Sequence, residues 1–349
     1  MDSLPLLCSI LLLLGGGLYW FFWILRLAKI NSIATEKLQD SYNKYWSFFS
    51  QPKEISNADK VLHFVDVFYS LITDVYEKIW GQSFHFSPSV RGKSHGEATR
   101  LHEEMAGDLI GVKPGHKVLD AGCGIGGPMR AIAAHSGCKI VGITINEYQV
   151  QRARMLNKKA RVDSLCEVVL GNFLEMPFDD NSFDGVYSIE ATCHAPMLED
   201  VYAEIFRVLK PGALYVSYEW VTTDRYCSGN VEHEEIIRGI ERGDALPGLR
   251  HYSDIAVTAR KVGFEVVKEK DLAMPPAGPW WTNLETVKKI DNWINRTGAT
   301  VLEALGLAPK GTLDVHVMLS ATVSHLIRGG ETGIFTPMHM ILCRKPSPF

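Results

Sequence analysis

Val118-Leu119-Asp120-Ala121-Gly122-Cys123-Gly124-Ile125-Gly126-Gly127 is the stretch that decides the fold. A short apolar strand ends in a carboxylate and runs straight into a glycine loop. Glycines there permit positive φ and let backbone N–H groups approach a ligand with no Cβ in the way. Gly122, Gly124 and Gly127 also satisfy G-x-G-x-x-G, the dinucleotide fingerprint, so two ligand classes compete for the loop.

Asp120 separates them. A dinucleotide sets its pyrophosphate at the N-terminus of the following helix, where a nearby carboxylate repels it. S-adenosyl-L-methionine has no phosphate; it carries a sulfonium and an ammonium, which a carboxylate at a strand tip suits. Asp120, Gly122, Gly124 and Gly126 are therefore candidate cofactor-binding residues. Beyond the loop, strands and helices alternate, which argues for a mostly parallel sheet covered on both faces. Met129 to Ala134 begins a helix and Lys139 to Thr144 is a second strand. Its tip is neutral, and Thr144 and Asn146 are placed to hold ribose hydroxyls. After a polar helix at Glu147 to Ala160 and a third strand at Glu167 to Gly171, Asn172 and Phe173 stand where the adenine amine and ring belong. Phe183 to Ile189 is the fourth strand. Ligands of such sheets bind beyond the carboxyl ends of the strands, so Glu190 and His194 face the crevice. The fifth strand, Ala213 to Tyr218, ends at Glu219-Trp220, and further strands follow at Gly263 to Val267 and Met338 to Arg344. The expected class is an α/β, Rossmann-like class I S-adenosylmethionine methyltransferase.

Between the last two strands lies an insertion from about Pro275 to Thr336. A helix N-capped by Thr312 presents Val315, Met318, Leu319, Thr322 and Leu326 on one side. This apolar insertion suits a greasy acceptor, and serves equally as a lid or as the surface of a homo-oligomer.

The chain has 349 residues, with 36 Lys and Arg against 40 Asp and Glu and no long basic run, which argues against nucleic acid as a partner. Seven scattered cysteines with no C-x-x-C form neither a disulfide framework nor a zinc site, and no metal is expected. Leu4 to Leu25 carries no charge, ends in an aromatic cluster and is followed by Arg26 and Lys29. As a helix it would span about 33 Å, enough for a bilayer core. Asp2 stands where a signal peptide carries basic residues, so a retained membrane anchor is expected, with the rest of the chain on the cytosolic side. The organisation that follows is an anchor at 1–28, an amphipathic helical segment at 29–95, a methyltransferase core at 96–274 and a C-terminal region at 275–349. In the second segment Val61, Phe64, Val65, Phe68, Leu71, Ile72 and Val75 form one apolar stripe.

That stripe leads into Tyr76-Glu77-Lys78-Ile79-Trp80-Gly81-Gln82-Ser83-Phe84-His85-Phe86-Ser87-Pro88. Four aromatics and a histidine in so short a run read as the lining of an apolar site or as core. With this block, the glycine loop, Ile189-Glu190-Ala191-Thr192-Cys193-His194-Ala195-Pro196 and Tyr218-Glu219-Trp220, the chain resembles the sterol C-24 methyltransferases over nearly its full length. The second-strand tip, Gly142-Ile143-Thr144-Ile145-Asn146-Glu147-Tyr148-Gln149, departs from the Leu-Asn-Asn-Asn form of first-methylation enzymes and looks like the plant second-methylation branch. The resemblance implies a sterol substrate, methylation of 24-methylenelophenol to 24-ethylidenelophenol, and the endoplasmic reticulum membrane. The alternatives are a first methylation of cycloartenol, another apolar acceptor, a sterol-binding protein without catalysis and, from another class, a membrane-tethered NAD-dependent oxidoreductase.

Such a methylation leaves a carbocation that must be stabilised, kept from water and relieved of a proton. Aromatic faces meet the first demand, each contributing roughly 2 kcal/mol when desolvated. Tyr76, Trp80, Phe84, Phe86 and Trp220 are the candidates. For the proton, Glu190 with His194 comes first, and Glu77 or Glu219 second.

Overall fold

The glycine loop leaves the central strand of an eight-stranded sheet. The computed structural model describes residues 37–49, 58–290 and 293–347. The expected anchor at 1–28 lies outside the described residues, among which no helix is long and apolar enough to cross a membrane.

Two helices, α1 (Leu38–Ser47) and α2 (Ala58–Ile79), precede the Trp80–Pro88 loop and α3 (His95–Leu109). A capping box starts α3: Ser94 accepts from the Glu97 N–H while Glu97 reaches back to the Ser94 N–H. The core then alternates: β1 (Lys117–Ala121), α4 (Gly127–Ser136), β2 (Lys139–Thr144), α5 (Glu147–Ala160), β3 (Cys166–Leu170), β4 (Phe183–Ile189), α6 (Leu198–Val208) and β5 (Leu209–Thr222). After α7 (Val231–Gly243), the short β6 (Arg250–His251), α8 (Tyr252–Val262) and β7 (Glu265–Asp271) come three helices of the insertion. These are α9 (Thr282–Ile290), α10 (Trp293–Ala304) and α11 (Thr312–Thr332), and β8 (Phe335–Arg344) closes the chain.

Strand order is β3-β2-β1-β4-β5-β8-β7, with β6 beside β5. β8 runs antiparallel between β5 and β7, and the pairs from β3 through β5 are parallel. Past its exposed first residue, β1 is buried throughout, the near-continuous apolar run of a strand covered on both faces. One cover comprises α6 and α8, through Val201, Ile205, Ile255 and Ala259; the other comprises α3, α4 and α5, through Ala106, Ile132 and Val150. Lys268, Glu269 and Lys270 charge the edge strand β7, which discourages pairing with another chain.

Two local expectations are corrected. Thr312 does not cap α11: Gly311, in the left-handed conformation, is the N-cap, and the Thr312 hydroxyl donates to the Pro309 carbonyl instead. The fifth strand, expected to start at Ala213, starts at Leu209, and Lys210-Pro211-Gly212 sits inside it as a bulge, where the register opposite Phe183 and Gly185 jumps from Leu209 to Leu214.

The apolar stripe of α2 is core. Val61, Phe64, Val65, Phe68, Leu71 and Ile72 pack with Leu38 and Tyr45 of α1 and with Val315 and Met318 of α11. α11 also lies close against α7, where glycines remove the obstructing atoms. A Cβ on Gly243 would sit 2.1 Å from the Thr322 hydroxyl, and one on Gly239 would sit 2.3 Å from the His325 ring.

The Trp80–Pro88 loop is docked onto the start of α4. A Cβ on Gly127 would lie 2.2 Å from Ser83 Oγ and 2.3 Å from the Gln82 carbonyl oxygen, and the second contact is backbone that cannot rotate away. Arg130 adds bonds to the Ile125 carbonyl at 2.7 Å and to Gln82 Oε1 at 3.1 Å. Gly127→Ala is therefore expected to lower stability by about 1–3 kcal/mol, the usual cost of overpacking. A urea titration reads this directly, and an unchanged midpoint would mean that the loop does not rest on α4.

Candidate active site

Three cavities meet beyond the carboxyl ends of β1, β2 and β4. The first, a cleft of about 830 Å³ counting its mouth, is walled by Gly122, Gly124, Thr144, Gln149, Phe173 and Glu190 among others. A chamber of about 310 Å³ shares Tyr69, Phe84, Glu190 and His194 with that cleft. The third is an almost wholly apolar pocket of about 690 Å³, and it shares Tyr76, Phe84, Trp220 and Asp244 with the chamber. Phe84 borders all three.

The cleft fits the expected cofactor. Gly122 is in the left-handed conformation and a Cβ there would strike Ala191 at 2.3 Å, so this wall is bare of side chains by necessity. At the tip of β2 the Thr144 hydroxyl donates to Gln149 Oε1 at 2.8 Å, and both residues border the cleft, a neutral pair suited to ribose hydroxyls. Phe173, beyond β3, lines the same cleft.

Of the cofactor candidates, Gly122, Gly124, Thr144 and Phe173 line the cleft, whereas Asp120, Gly126, Asn146 and Asn172 stand behind it. Asp120 lies under the glycine loop, 2% exposed, accepting from the Tyr187 hydroxyl at 2.8 Å. Burial pushes its pKa up to about 7, against the pull of that bond. Gly126 is the N-cap of α4. Asn146 is taken up by structure: its oxygen caps α5 at the Gln149 N–H, and its amide donates to the Asp66 carboxylate and to Ser70 on α2. Asn172 folds back to accept from the Leu174 N–H. Capping asparagines and ligand-holding ones look alike in sequence.

Trp80, Phe84, Phe86 and Trp220 all line the apolar pocket. Phe86 meets Trp80, Trp220 and Trp280 at ring separations of 5.4, 5.7 and 4.8 Å, and Tyr76 meets Phe84 edge-on at 5.6 Å. α9 and α11 complete the wall with Leu284, Leu319, Val323 and Leu326.

Glu190 follows β4 with φ 54°, in the left-handed region that a non-glycine residue enters only when its surroundings impose it. One carboxylate oxygen accepts from the Phe86 N–H at 2.9 Å and the other from Trp220 Nε1 at 2.8 Å. Burial pushes its pKa up to about 8, while His85, Trp220 and the Phe86 N–H pull the other way. His85 is held by Glu103 at 3.0 Å and by the Phe86 carbonyl at 2.7 Å, and the Glu103 contact helps to raise its pKa. His194 donates from Nδ1 to the Ala245 carbonyl at 3.0 Å, so Nε2 accepts from the Tyr69 hydroxyl at 2.8 Å. Burial lowers its pKa to about 4 and keeps it neutral.

Glu77 and Glu219 are not brought to any of these cavities. Glu77 forms a two-pronged ion pair with Arg152 on α5, at 2.6 and 2.7 Å. Glu219 is buried in the sheet, accepting from Thr192, Ser217 and Tyr202. Of the chamber's lining, Tyr69, Asp244 and Leu246 were not singled out in the sequence, and Cys193 stood there only as part of the Ile189–Pro196 block. Tyr69 alone was open to inference, since it lies two helical turns before Tyr76 on α2 and so on the same face.

An α/β sheet of this order with such a cleft at its carboxyl edge is the frame of a class I S-adenosylmethionine-dependent methyltransferase. Residues 119–217 match the family described as Methyltransferase domain, and residues 285–347 match Sterol methyltransferase C-terminal. The 24-methylenesterol C-methyltransferase 3 of Arabidopsis thaliana is 65% identical over 356 residues, covering 99% of this chain and 99% of the relative. The cycloartenol-C-24-methyltransferase 1 of Oryza sativa subsp. japonica is 41% identical, covering 91% of this chain and 95% of the relative. Among solved structures, the [4+2]-cyclase SpnF shares the fold at a TM-score of 0.62 and 19% identity, covering 81% of this chain and 96% of that one. The chain belongs to the sterol C-24 methyltransferase family, in its 24-methylenesterol branch. It is an S-adenosylmethionine-dependent sterol C-methyltransferase, and the oxidoreductase reading of the glycine loop falls away.

The raised pKa of Glu190 has a consequence for stability. A carboxyl whose folded pKa lies above its unfolded value contributes stability fully present below the ordinary carboxylate range and lost as pH rises through the folded value, here about 8. In the ligand-free chain, wild type should therefore lose stability relative to Glu190→Gln between about pH 5 and pH 8, by roughly 1.4 kcal/mol per pH unit at most. Urea midpoints of the two chains at several pH values test it. A constant difference across that window would show that Glu190 is not buried as an acid.

Proposed function

We propose that the chain methylates the side-chain methylene of a 24-methylene sterol, with 24-methylenelophenol as acceptor and 24-ethylidenelophenol as product. The observation that carries the reading is the run of adjoining cavities: the cleft of the glycine loop shares Tyr69, Phe84, Glu190 and His194 with a small aromatic chamber, which shares Tyr76, Phe84, Trp220 and Asp244 with an apolar pocket. When bound, S-adenosylmethionine supplies an electrophilic methyl group. The alkene is itself the nucleophile, so no base is needed to begin. The protein's part is to align the alkene, exclude water and tolerate a cation. Phe84 borders all three cavities and lines the chamber with Tyr76 and Trp220, aromatic rings that can stabilise a cation without capturing it. Glu190 fixes two sides of the chamber by holding the Phe86 backbone and the Trp220 indole together.

A first methylation of cycloartenol uses the same chemistry, and the acceptor decides between them. The full chain in detergent micelles, given labelled S-adenosylmethionine and the two sterols in parallel, should make an ethylidene sterol mainly from 24-methylenelophenol. Preference for cycloartenol would move the enzyme to the first methylation. No label on either sterol, with S-adenosylhomocysteine binding intact, would overturn the sterol assignment.

Leu4 to Leu25 is the membrane anchor in this proposal, holding the catalytic part on the cytosolic face of the endoplasmic reticulum, where the acceptor partitions. The uncharged run and the Arg26 and Lys29 that follow support it. In sealed microsomes the chain should resist carbonate extraction and its C-terminal region should be cut by added protease. Protection of that region would reverse the orientation, and release by carbonate would remove the anchor.

A further inference from the structure

Asp244 is the one carboxylate of the chamber to which no reading above gives a task. It follows the last residue of α7 and is 7% exposed. Its Oδ1 accepts from the Tyr76 hydroxyl at 3.2 Å, and its Oδ2 is buried with no hydrogen-bond partner among the described residues. It borders both the chamber and the apolar pocket. The backbone around it is pinned from two sides. Gly243 lets Thr322 of α11 approach where a Cβ would collide. Ala245, at φ 53°, gives its carbonyl to His194.

A buried carboxylate oxygen without a donor is costly and is ordinarily paired. The other chamber groups able to take a proton are differently placed. Both oxygens of Glu190 already accept from donors fixed in the wall, and His194 Nε2 already accepts from Tyr69. Neutral Tyr69, Tyr76 and Cys193 are no bases, since burial raises the pKa of each. Among the described residues, Asp244 Oδ2 is the carboxylate oxygen of the chamber lining that is left without a donor.

We infer that Asp244 Oδ2 takes the proton released when the methylated sterol cation collapses to the product alkene. A C–H bond beside the cationic carbon breaks, its electron pair becomes the new π bond, and the proton passes to the carboxylate. Cation and carboxylate become neutral alkene and neutral acid. Tyr76 orients the carboxylate through Oδ1. Glu190 is a positioning residue, acting through Phe86 and Trp220.

The inference rests on the sterol-methylation reading, and the test separates the two. Full-length Asp244→Asn and Glu190→Gln are assayed with labelled S-adenosylmethionine and 24-methylenelophenol, the labelled products are identified by mass spectrometry, and S-adenosylhomocysteine affinity is measured alongside. Asp244→Asn should keep that affinity and lose ethylidene formation by about 10²- to 10⁴-fold, the usual range for a general base. The label that is transferred should appear as a water-captured alcohol or an isomeric alkene. Glu190→Gln should slow turnover with the ethylidene sterol still the main product, and Asp244→Glu should restore ethylidene over Asp244→Asn. Product ratios come only from molecules that turned over, so a smaller folded fraction does not disturb them. Ethylidene as the main product of Asp244→Asn within tenfold of the wild-type rate would overturn the inference. So would diversion of products by Glu190→Gln alone. A wild-type chain that labels no sterol would instead sink the reading beneath it.

Discussion

The site depends on one carboxylate held in an unfavourable backbone conformation. Glu190 leaves β4 in the left-handed region, and its two oxygens clip together groups more than a hundred residues apart in one case and thirty in the other, the Phe86 N–H and the Trp220 indole. Through Phe86 it holds the aromatic loop, through Trp220 the end of β5, and through its own backbone the carboxyl edge of the sheet. Burying such a group costs free energy whichever way it is satisfied. That cost is offset only if the aromatic loop is thereby fixed over the cleft, which the close packing of Gln82 and Ser83 onto Gly127 also requires.

The electrostatics share one pattern. Asp120, Glu190 and Asp244 are all buried, and burial raises the pKa of each. None forms an ion pair with Lys or Arg among the described residues, although Glu77, which faces away from the cavities, does. Asp120 lies under the glycine loop and borders none of the cavities, but an enzyme that handled a neutral reaction would have no use for the other two acids around an apolar chamber. One that passes through a positive charge does: a cation arriving on the substrate lowers these pKa values and turns a desolvation cost into attraction. The aromatic rings serve the same end without offering a lone pair that could capture the cation.

The parts of this design that sequence shows are those governed by local rules. The β1 run and glycine loop, the parallel strands that follow and the apolar stripe of α2 each follow from period and backbone geometry, and the structure has them in those places. Side-chain direction at the ends of elements is less visible. Glu77 and Tyr76 are adjacent on α2, yet a hundred-degree turn sends one to Arg152 and the other to the chamber. Glu219 and Trp220 alternate across β5, so the indole reaches the pocket and the carboxylate enters the sheet. Asp244 was hidden for another reason. In Glu241-Arg242-Gly243-Asp244-Ala245 it resembles a solvated helix end, and only the packing of α2 and α11 around it makes it interior.

The same division separates the cleft of the glycine loop from the apolar pocket. Glycine loop, Thr144 and Phe173 all belong to the sheet and its loops, whose geometry is set by hydrogen-bonded register and tolerates little change. The apolar pocket is mostly built outside the sheet, from the end of α2, the Trp80–Phe86 loop and the insertion helices α9 and α11. Helix packing of this kind can be altered residue by residue without moving a strand. A fold can thus keep its sheet and carry many acceptors when apolar room is added by helices rather than carved from the core. In this chain the two halves meet at Phe84, Glu190 and Asp244. Phe84 touches all three cavities, Glu190 the cleft and the chamber, and Asp244 the chamber and the pocket, so a change at any of them alters both sides of a boundary.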